Sequence, residues 1–165
     1  MQRLLPIAED VATLLKSRGE TLAVAESSTG GLIAAALVAI PGASAYFVAG
    51  GVIYTAAAQR ALLQIPREQM QQAIRASTEP YALLAAQTIR TRLGTDWGIA
   101  ETGASGPTGN PYGDAAGHSC IAIAGAIERA ITLETGRTER VDNMWQFARA
   151  ALLLLQRVLA TAPAP

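Results

Sequence analysis

Two segments of the chain combine hydroxyl side chains with glycines in a pattern suited to acyl transfer. The first segment reads AESSTGG over residues 25–31 and directly follows an apolar stretch. Where a strand gives way to a helix, the first backbone N–H groups of the helix have no partner within it, and the helix dipole is positive there. A serine beside such a turn is well placed for nucleophilic attack. The pattern predicts that a phosphate or an oxyanion binds at the turn formed by Ser28, Thr29, Gly30 and Gly31.

The same segment also has a purely structural interpretation. Ser28 or Thr29 can serve as the N-cap of the following helix, and the two glycines can allow that helix to pack closely on a sheet. The segment is not a P-loop, because no lysine follows the glycines, and it lacks the spacing of a dinucleotide-binding turn. Both interpretations place the segment at the junction between a strand and a helix.

The second segment reads TGASGPTGNP over residues 102–111 and follows another predicted strand. The predicted loop over residues 103–117 is long for a compact domain, and long loops are often functional. In an open parallel sheet, the loops at the carboxyl ends of the strands line one crevice. We therefore expect this loop to lie next to the first segment, although an ordinary surface loop is the alternative. The predicted ligand contacts from this loop are Thr102, Gly103, Ser105 and Gly106.

Several single residues are further candidates. Tyr54 ends a predicted strand and is able to donate a hydrogen bond into the crevice, and Gln59 lies on the helix that follows. Arg137 and Arg140 precede the last helix, where either is able to bind a phosphate or to remain solvated. His118 is the only histidine and Cys120 the only cysteine, so the chain lacks the ligand spacing of a metal site. His118 is either a partner for a catalytic serine or an ordinary side chain at a strand end.

Composition excludes several functional classes. The 165 residues fit a single domain over 1–165, and 13 basic residues balance 13 acidic ones, so no basic field is available to bind nucleic acid. The longest apolar run, Leu32–Ile40, is too short to span a bilayer. A single cysteine fits a reducing compartment, and Glu9 and Asp10 interrupt any signal peptide. We expect a soluble cytoplasmic protein that binds neither membranes nor nucleic acid.

Alternating helix and strand patterns predict the fold class. The first predicted helix is amphipathic and ends at Gly19. The segment Leu32–Ile40 is apolar on nearly every side, so we expect it to pack on the sheet or on another subunit of a homo-oligomer. The last two strands follow each other directly as a hairpin. We predict a three-layer α/β/α sandwich with a mostly parallel sheet and one antiparallel edge pair. The predicted helices are Leu4–Arg18, Leu32–Ile40, Ala56–Gln64, Arg67–Arg75, 78–93 and 141–159; the predicted strands are Thr21–Glu26, Tyr46–Thr55, Asp96–Thr102, His118–Gly125 and Arg129–Glu134, and a loose tail covers Thr161–Pro165.

Five motifs in the same order resemble the CinA C-terminal domain family, which includes nicotinamide mononucleotide deamidases. The resemblance covers nearly the whole chain. It implies a serine amidohydrolase with a serine–lysine dyad, without metal or cofactor, that acts on a small nucleotide in pyridine nucleotide salvage. The motifs are AESSTGG at 25–31, PGAS at 41–44, GGVIYT at 50–55, STEP at 77–80 and TGASGP at 102–107.

The resemblance assigns roles to individual residues. It implies that Ser27 is the nucleophile, that Tyr54 supports it, and that Gln59 occupies the position of the family's catalytic lysine. Ser28 stands where the family has cysteine. A basic residue that precedes the family's last helix is replaced here by Arg137, by Arg140 or by neither of them. Since glutamine cannot accept the serine proton as a neutral amine can, Tyr54, His118 or a water held by Gln59 would have to assist. The alternative is a nucleotide-binding or regulatory domain that has lost its base.

Overall fold

The computed structural model of this protein describes residues 1–70 and 74–163. Helices and strands alternate through most of the chain, and the last two strands follow each other without a helix. The helices are α1 Leu5–Arg18, α2 Leu32–Val38, α3 Ala56–Ala58, α4 Glu79–Leu93 and α5 Arg140–Thr161; the strands are β1 Leu22–Glu26, β2 Phe47–Val52, β3 Trp97–Ala104, β4 His118–Ala124 and β5 Arg129–Glu134.

The five strands form one mixed sheet in the order β2–β1–β3–β4–β5. β1 pairs in parallel with both β2 and β3, while β4 runs antiparallel to β3 and to β5. Four strands therefore point in one direction and only β4 is reversed. This confirms the predicted fold class, with a parallel centre and an antiparallel edge. The carboxyl ends of β1, β2 and β3 lie at the same edge of the sheet, which is where the two glycine-rich segments begin.

Apolar side chains fill the space on both faces of the sheet. One cluster joins α1, α2 and α5 to the sheet, and the other joins α4 to the opposite face. All five residues of β1 are buried, as expected for a central strand covered by helices on both sides. Trp97 and Cys120 are also buried in these clusters, as the sequence predicted.

Gly50 explains how closely helix α2 approaches the edge strand β2. A Cβ atom at Gly50 would lie 2.7 Å from the Cβ atom of Ala34, a separation that real Cβ atoms do not reach. The register between β1 and β2 also shifts at the beginning of the pair, between Leu22 and Ala23. Gly50 therefore marks a close approach between helix α2 and strand β2.

Several element boundaries differ from the sequence predictions. β3 continues to Ala104, because β4 pairs with it as far as His118. α2 ends at Val38, which is 54% exposed, so this helix is not buried on every side. The predicted helix over 56–64 is α3 followed by a π-helical turn at Gln59–Leu63.

Two further predicted segments are only partly described. Arg67–Met70 forms a 3₁₀ turn where a helix over 67–75 was predicted, and residues 71–73 lie outside the described residues. Thr161 belongs to α5 rather than to a loose tail, and residues 164–165 also lie outside the described part. Among the helices of residues 1–70 and 74–163, none has the length and apolar character needed to cross a membrane.

Candidate active site

A crevice lies at the carboxyl ends of the parallel strands and has two lobes. Ser27 follows β1, Tyr54 follows β2, and Gly103 lies near the end of β3; all three line both lobes. The structure therefore brings together the three positions that the sequence placed at one end of the sheet. The lobes have volumes of about 310 Å³ and about 340 Å³, and Ser27 lies where they meet.

The first lobe, which we call the inner lobe, lies between the turn after β2 and the segment before α4. Its lining mixes apolar side chains with a few polar ones, an arrangement typical of small-molecule sites. Gln59, Arg75, Ser77 and Thr102 supply polar groups, and Ile53, Met70 and Tyr81 supply apolar surface.

The second lobe, which we call the loop lobe, is lined by the loop after β3 and by Arg140 of α5. Arg140 donates from Nη1 to the carbonyl oxygen of Gly106 at 2.6 Å and from Nη2 to the hydroxyl of Tyr54 at 2.8 Å. This guanidinium therefore joins α5, the loop and the turn after β2. The other residues that line the loop lobe are Ser28, Ala104, Ser105, Thr108, Gly109, Asn110 and Pro111.

Arg137 does not line either lobe. It is exposed and borders a separate depression with Leu133, Thr135 and Gln146. The buried side chain of Asn143 holds the main chain here, donating from Nδ2 to the carbonyl oxygens of Ser105 and Arg137 at 2.8 and 2.9 Å. Of the two arginines that the sequence offered, the structure therefore places Arg140 in the crevice and Arg137 outside it, which corrects the predicted contact from Arg137.

Two buried side-chain atoms among the described residues have no hydrogen-bond partner, and each belongs to a residue that lines one of the lobes. They are Nε2 of Gln59, which lines the inner lobe, and Oγ of Ser105, which lines the loop lobe. Gln59 is only 9% exposed and Ser105 only 2%. Since an unpaired buried polar group costs free energy, native structures rarely leave one without a ligand or water to satisfy it. Both atoms belong to residues that the sequence predicted for the site.

No lysine assists at the position of Gln59. Lys16 is the only lysine of the chain, and its Nζ donates to the carbonyl oxygen of Pro41 at 2.6 Å and lies 5.7 Å from the ring centroid of Tyr46. These contacts tie Lys16 to the turn after α2. The crevice therefore has a carboxamide where a serine–lysine dyad would have an amine.

Several backbone N–H groups at the turn over residues 27–31 are already paired, although the sequence pattern indicated that they are free. The backbone N–H groups of Ser27 and Thr29 donate to Oε2 of Glu101 at 3.1 and 3.0 Å. Those of Ile33 and Ala34 donate to the carboxyl group of Glu26 at 3.1 and 3.0 Å. Two buried carboxyl groups thus occupy much of the N-terminus of α2, which leaves fewer N–H groups for an anion at this turn than the sequence pattern indicated.

The four residues of this turn that the sequence predicted to contact a ligand lie in different surroundings. Ser28 lines the loop lobe, but its hydroxyl donates to Glu101. Thr29 is fully buried. Gly30 and Gly31 adopt positive φ angles of 63° and 102°, and Met144 packs against Gly30. The glycines therefore serve the turn itself, and Thr29, Gly30 and Gly31 line neither lobe.

His118 lies outside the crevice and is already engaged. Its Nε2 donates to the carbonyl oxygen of Ser77 at 2.9 Å, and its Nδ1 bonds to the carboxylate of Glu134. Both partners are acceptors, so both bonds are satisfied fully only when both ring nitrogens carry protons. Burial lowers the pKa of His118, but the bonds to Glu134 and Ser77 outweigh it and raise the pKa above its ordinary value of 6.5. The structure therefore does not place His118 where it could accept a proton from Ser27.

The raised pKa of His118 predicts a pH dependence of stability. A group whose folded pKa is raised stabilises the fold fully below its unfolded pKa, and this contribution is lost as pH rises through the folded pKa. We expect the free energy of unfolding to fall as pH rises from about 6.5, by less in the Glu134→Gln variant. Because the chain has one histidine, its proton NMR titration gives the pKa directly. A midpoint at or below 6.5 would contradict the arrangement.

An ion pair anchors the long loop beside the inner lobe. Arg75 makes two bonds to the carboxylate of Asp114, at 2.6 and 2.8 Å. The guanidinium of Arg75 also lies 5.3 Å from the ring centroid of Tyr112. The hydrogen bonds from Arg75 lower the pKa of Asp114 to about 2, so the ion pair persists across the physiological pH range. These contacts hold the middle of the loop over the crevice.

Sequence reasoning missed four residues that shape this site: Glu101, Asn143, Arg75 and Asp114. For Glu101 a signal was present, because a lone carboxylate interrupts the apolar strand WGIAETGA at residues 97–104. Buried carboxylates are rare without partners, so such a residue predicts a local hydrogen-bond network. No comparable signal marks the other three, which look like ordinary polar residues of loops and helix ends.

Comparisons with known proteins agree on one family. The CinA C-terminal domain matches residues 4–159. A CinA-like protein of Gloeobacter violaceus is 40% identical over 153 residues, which cover 92% of this chain and 36% of that protein. A CinA-like protein of Syntrophus aciditrophicus is 42% identical over 159 residues, covering 94% of this chain and 37% of that protein. The chain thus spans little more than a third of the length of these curated relatives.

Solved structures show the same fold. A competence-damaged protein (CinA) superfamily protein from Klebsiella pneumoniae superposes with a TM-score of 0.88 at 30% identity, covering 95% of this chain and 98% of that one. The competence/damage inducible protein CihA from Agrobacterium tumefaciens superposes with a TM-score of 0.84 at 29% identity, covering 96% of each chain. Both match nearly the whole of the present domain.

Proposed function

From the premise that this chain belongs to the CinA C-terminal domain family, we propose that its crevice binds a small nucleotide and hydrolyses a carboxamide on it. The proposed substrate is nicotinamide mononucleotide, and the products are nicotinate mononucleotide and ammonia. One observation carries this proposal: Ser27 lies where an inner lobe of mixed polarity meets a loop lobe that contains a guanidinium. A nucleotide with an aromatic amide at one end and a phosphate at the other fits such a pair of lobes.

The proposed chemistry has two steps. The hydroxyl oxygen of Ser27 attacks the carboxamide carbon, the C–N bond breaks, and the nitrogen leaves as ammonia after it gains a proton. Water then attacks the resulting ester and releases nicotinate mononucleotide and free Ser27. Such covalent catalysis divides one difficult hydrolysis into two easier steps. The product of this reaction would return to pyridine nucleotide salvage.

The residues around Ser27 support this assignment of the lobes. The unpartnered Nε2 of Gln59 in the inner lobe is suited to donate to the carbonyl oxygen of a carboxamide. In the loop lobe, Arg140 and the unpartnered hydroxyl of Ser105 are suited to a phosphate. Tyr54 lies between them and accepts a bond from Arg140.

A second candidate function is nucleotide binding without turnover. Gln59 favours it, because a glutamine side chain has no basic site with which to remove the serine proton. Loss of a general base commonly costs about 10²–10⁴-fold in rate. In this case the two lobes would hold the same nucleotide, and the domain would report its concentration rather than consume it.

We expect purified wild-type protein to release ammonia from nicotinamide mononucleotide slowly and in step with nicotinate mononucleotide. Ammonia is measured by a coupled assay and the nucleotides by chromatography, with nicotinamide riboside, which lacks the phosphate, as the control substrate. Binding is followed in parallel by calorimetry. Binding without ammonia would favour the second function, and absence of both would contradict the proposal.

A further inference from the structure

We infer that Glu101 is a positioning residue that fixes the turn of Ser27, and that Glu101 and Glu26 hold one proton between them through Thr29. The positioning role rests on the proposed function, since it concerns the proposed nucleophile. The shared proton depends only on the geometry of the two carboxyl groups.

Five donors converge on the carboxyl group of Glu101, which is only 2% exposed. Oε2 accepts the backbone N–H groups of Ser27 and Thr29, at 3.1 and 3.0 Å, and lies 3.0 Å from the hydroxyl of Thr29. Oε1 accepts the hydroxyl of Ser119 at 3.0 Å and the hydroxyl of Ser28. Glu101 therefore links the turn between β1 and α2 to strands β3 and β4.

The hydroxyl of Thr29 determines how many protons the two carboxyl groups share. Its Oγ1 lies 2.8 Å from Oε2 of Glu26 and 3.0 Å from Oε2 of Glu101, yet it has a single proton to donate. If both groups were ionised, one carboxylate oxygen would face a lone pair of Thr29 at hydrogen-bond distance. One further proton removes this conflict, because Glu26 then donates to Thr29, and Thr29 donates to Glu101.

The remaining contacts place that proton on Glu26. Glu101 accepts four donors besides the hydroxyl of Thr29. Apart from that hydroxyl, Glu26 accepts only the N–H groups of Ile33 and Ala34 within the described residues. A carboxyl group with more donors keeps its charge more easily. Neither group forms a salt bridge within the described residues. Burial, and to a smaller extent the charge of Glu101, raise the pKa of Glu26 above its ordinary value.

This arrangement has a consequence for catalysis. The N–H group of Ser27 points to Glu101, so it is not available to stabilise an oxyanion. Glu101 instead holds the backbone that carries the Ser27 side chain. A positioning role of this kind affects the rate of the chemical step more than the affinity for substrate, because correct orientation of reacting groups is expressed in the transition state.

Infrared spectroscopy at pH 7 tests the shared proton without any ligand. We expect the wild-type protein to show the carbonyl band of one protonated carboxyl group. The band should disappear in Glu26→Gln and persist in Glu20→Gln, a matched control in which another buried glutamate is removed. In Glu101→Gln the band should be lost at a lower pH than in wild type, because the neighbouring charge is gone. Absence of the band in wild type would overturn the shared proton.

The positioning role is tested by comparing Glu101→Gln with Glu101→Leu. In the glutamine variant, the amide oxygen can accept both N–H groups. The amide nitrogen can donate to the hydroxyls of Ser28 and Ser119, because these hydroxyls can rotate so that they accept a hydrogen bond instead of donating one. We expect the amide protons of Ser27 and Thr29 to stay protected from hydrogen exchange in Glu101→Gln and to lose protection in Glu101→Leu. Retained protection in Glu101→Leu would overturn the role.

Steady-state kinetics give the second measurement. They are carried out in the wild-type protein or, if it is more active, in the Gln59→Lys variant, and that protein is called the parent. We expect kcat for nicotinamide mononucleotide to fall about 100-fold or more in Glu101→Leu, with KM changed less than about threefold, and to stay within about fivefold of the parent in Glu101→Gln. An equal loss in both variants, or a loss in KM alone, would overturn positioning. Should the parent protein release no ammonia, the proposed function fails, while the infrared and exchange measurements still decide the inference.

Discussion

The Gln59→Lys variant is expected to hydrolyse nicotinamide mononucleotide about 10²–10⁴-fold faster than the wild-type protein. Such a gain corresponds to about 3–5 kcal/mol of activation free energy, since each tenfold in rate is about 1.4 kcal/mol. Gln59 lines the same lobe as Ser27, so a lysine there would introduce a base into the crevice. The measurement is the initial rate of ammonia release at saturating nucleotide.

The gain requires that the introduced amine be partly neutral near pH 7. Gln59 is only 9% exposed, and burial lowers the pKa of an amine because it disfavours the charged form. We therefore expect kcat of the variant to rise with pH through the pKa of the new lysine and then to level off.

Two controls separate a restored base from a general change in the lobe. Ser27→Ala in the Gln59→Lys background should abolish the gain, because the amine then has no hydroxyl to deprotonate. Gln59→Met, which has similar size but no basic site, should be no faster than wild type, and slower to the extent that Nε2 of Gln59 donates to the substrate. If the lysine variant binds nucleotide normally yet stays inactive, the nucleotide-binding function is favoured over hydrolysis.

Replacement of Arg140 by methionine should weaken binding of nicotinamide mononucleotide by about 10–100-fold. Removing a charged hydrogen-bonding partner of a phosphate costs about 1.5–3 kcal/mol. The guanidinium of Arg140 lines the loop lobe and also holds Gly106 and Tyr54, so its loss removes a charge and loosens the loop. The measurement is the Kd from calorimetry at fixed ionic strength.

The matched control is Arg137→Met, which removes the same charge from the same connection but outside both lobes. We expect its Kd to remain within about twofold of wild type, because Arg137 is exposed and lines neither lobe, and exposed charges interact only weakly through water. For nicotinamide riboside, which has no phosphate, the difference in Kd between the two variants should be smaller than for the nucleotide. Equal weakening of nucleotide binding in both variants would show that Arg140 acts only through net charge.

The sequence by itself determined the fold class and the position of the crevice. Alternating helix and strand patterns with a terminal hairpin predicted the layered sheet, and Ser27, Tyr54 and Gly103 each end a predicted strand. Since parallel strands deliver their carboxyl ends to one edge of a sheet, local patterns were sufficient to bring these three residues together. The resemblance of the motifs likewise identified the family that the comparisons show.

The tertiary structure decided which groups are free to meet a ligand. The N–H groups of the 27–31 turn appeared unpaired along the sequence, but Glu101 satisfies two of them from 72 and 74 residues away. The choice between Arg140 and Arg137 depended on how Asn143 folds the connection before α5. His118 was occupied by acceptors from two other segments. Hydrogen-bond pairing between distant segments follows from packing, and packing has no periodicity that a sequence pattern can display.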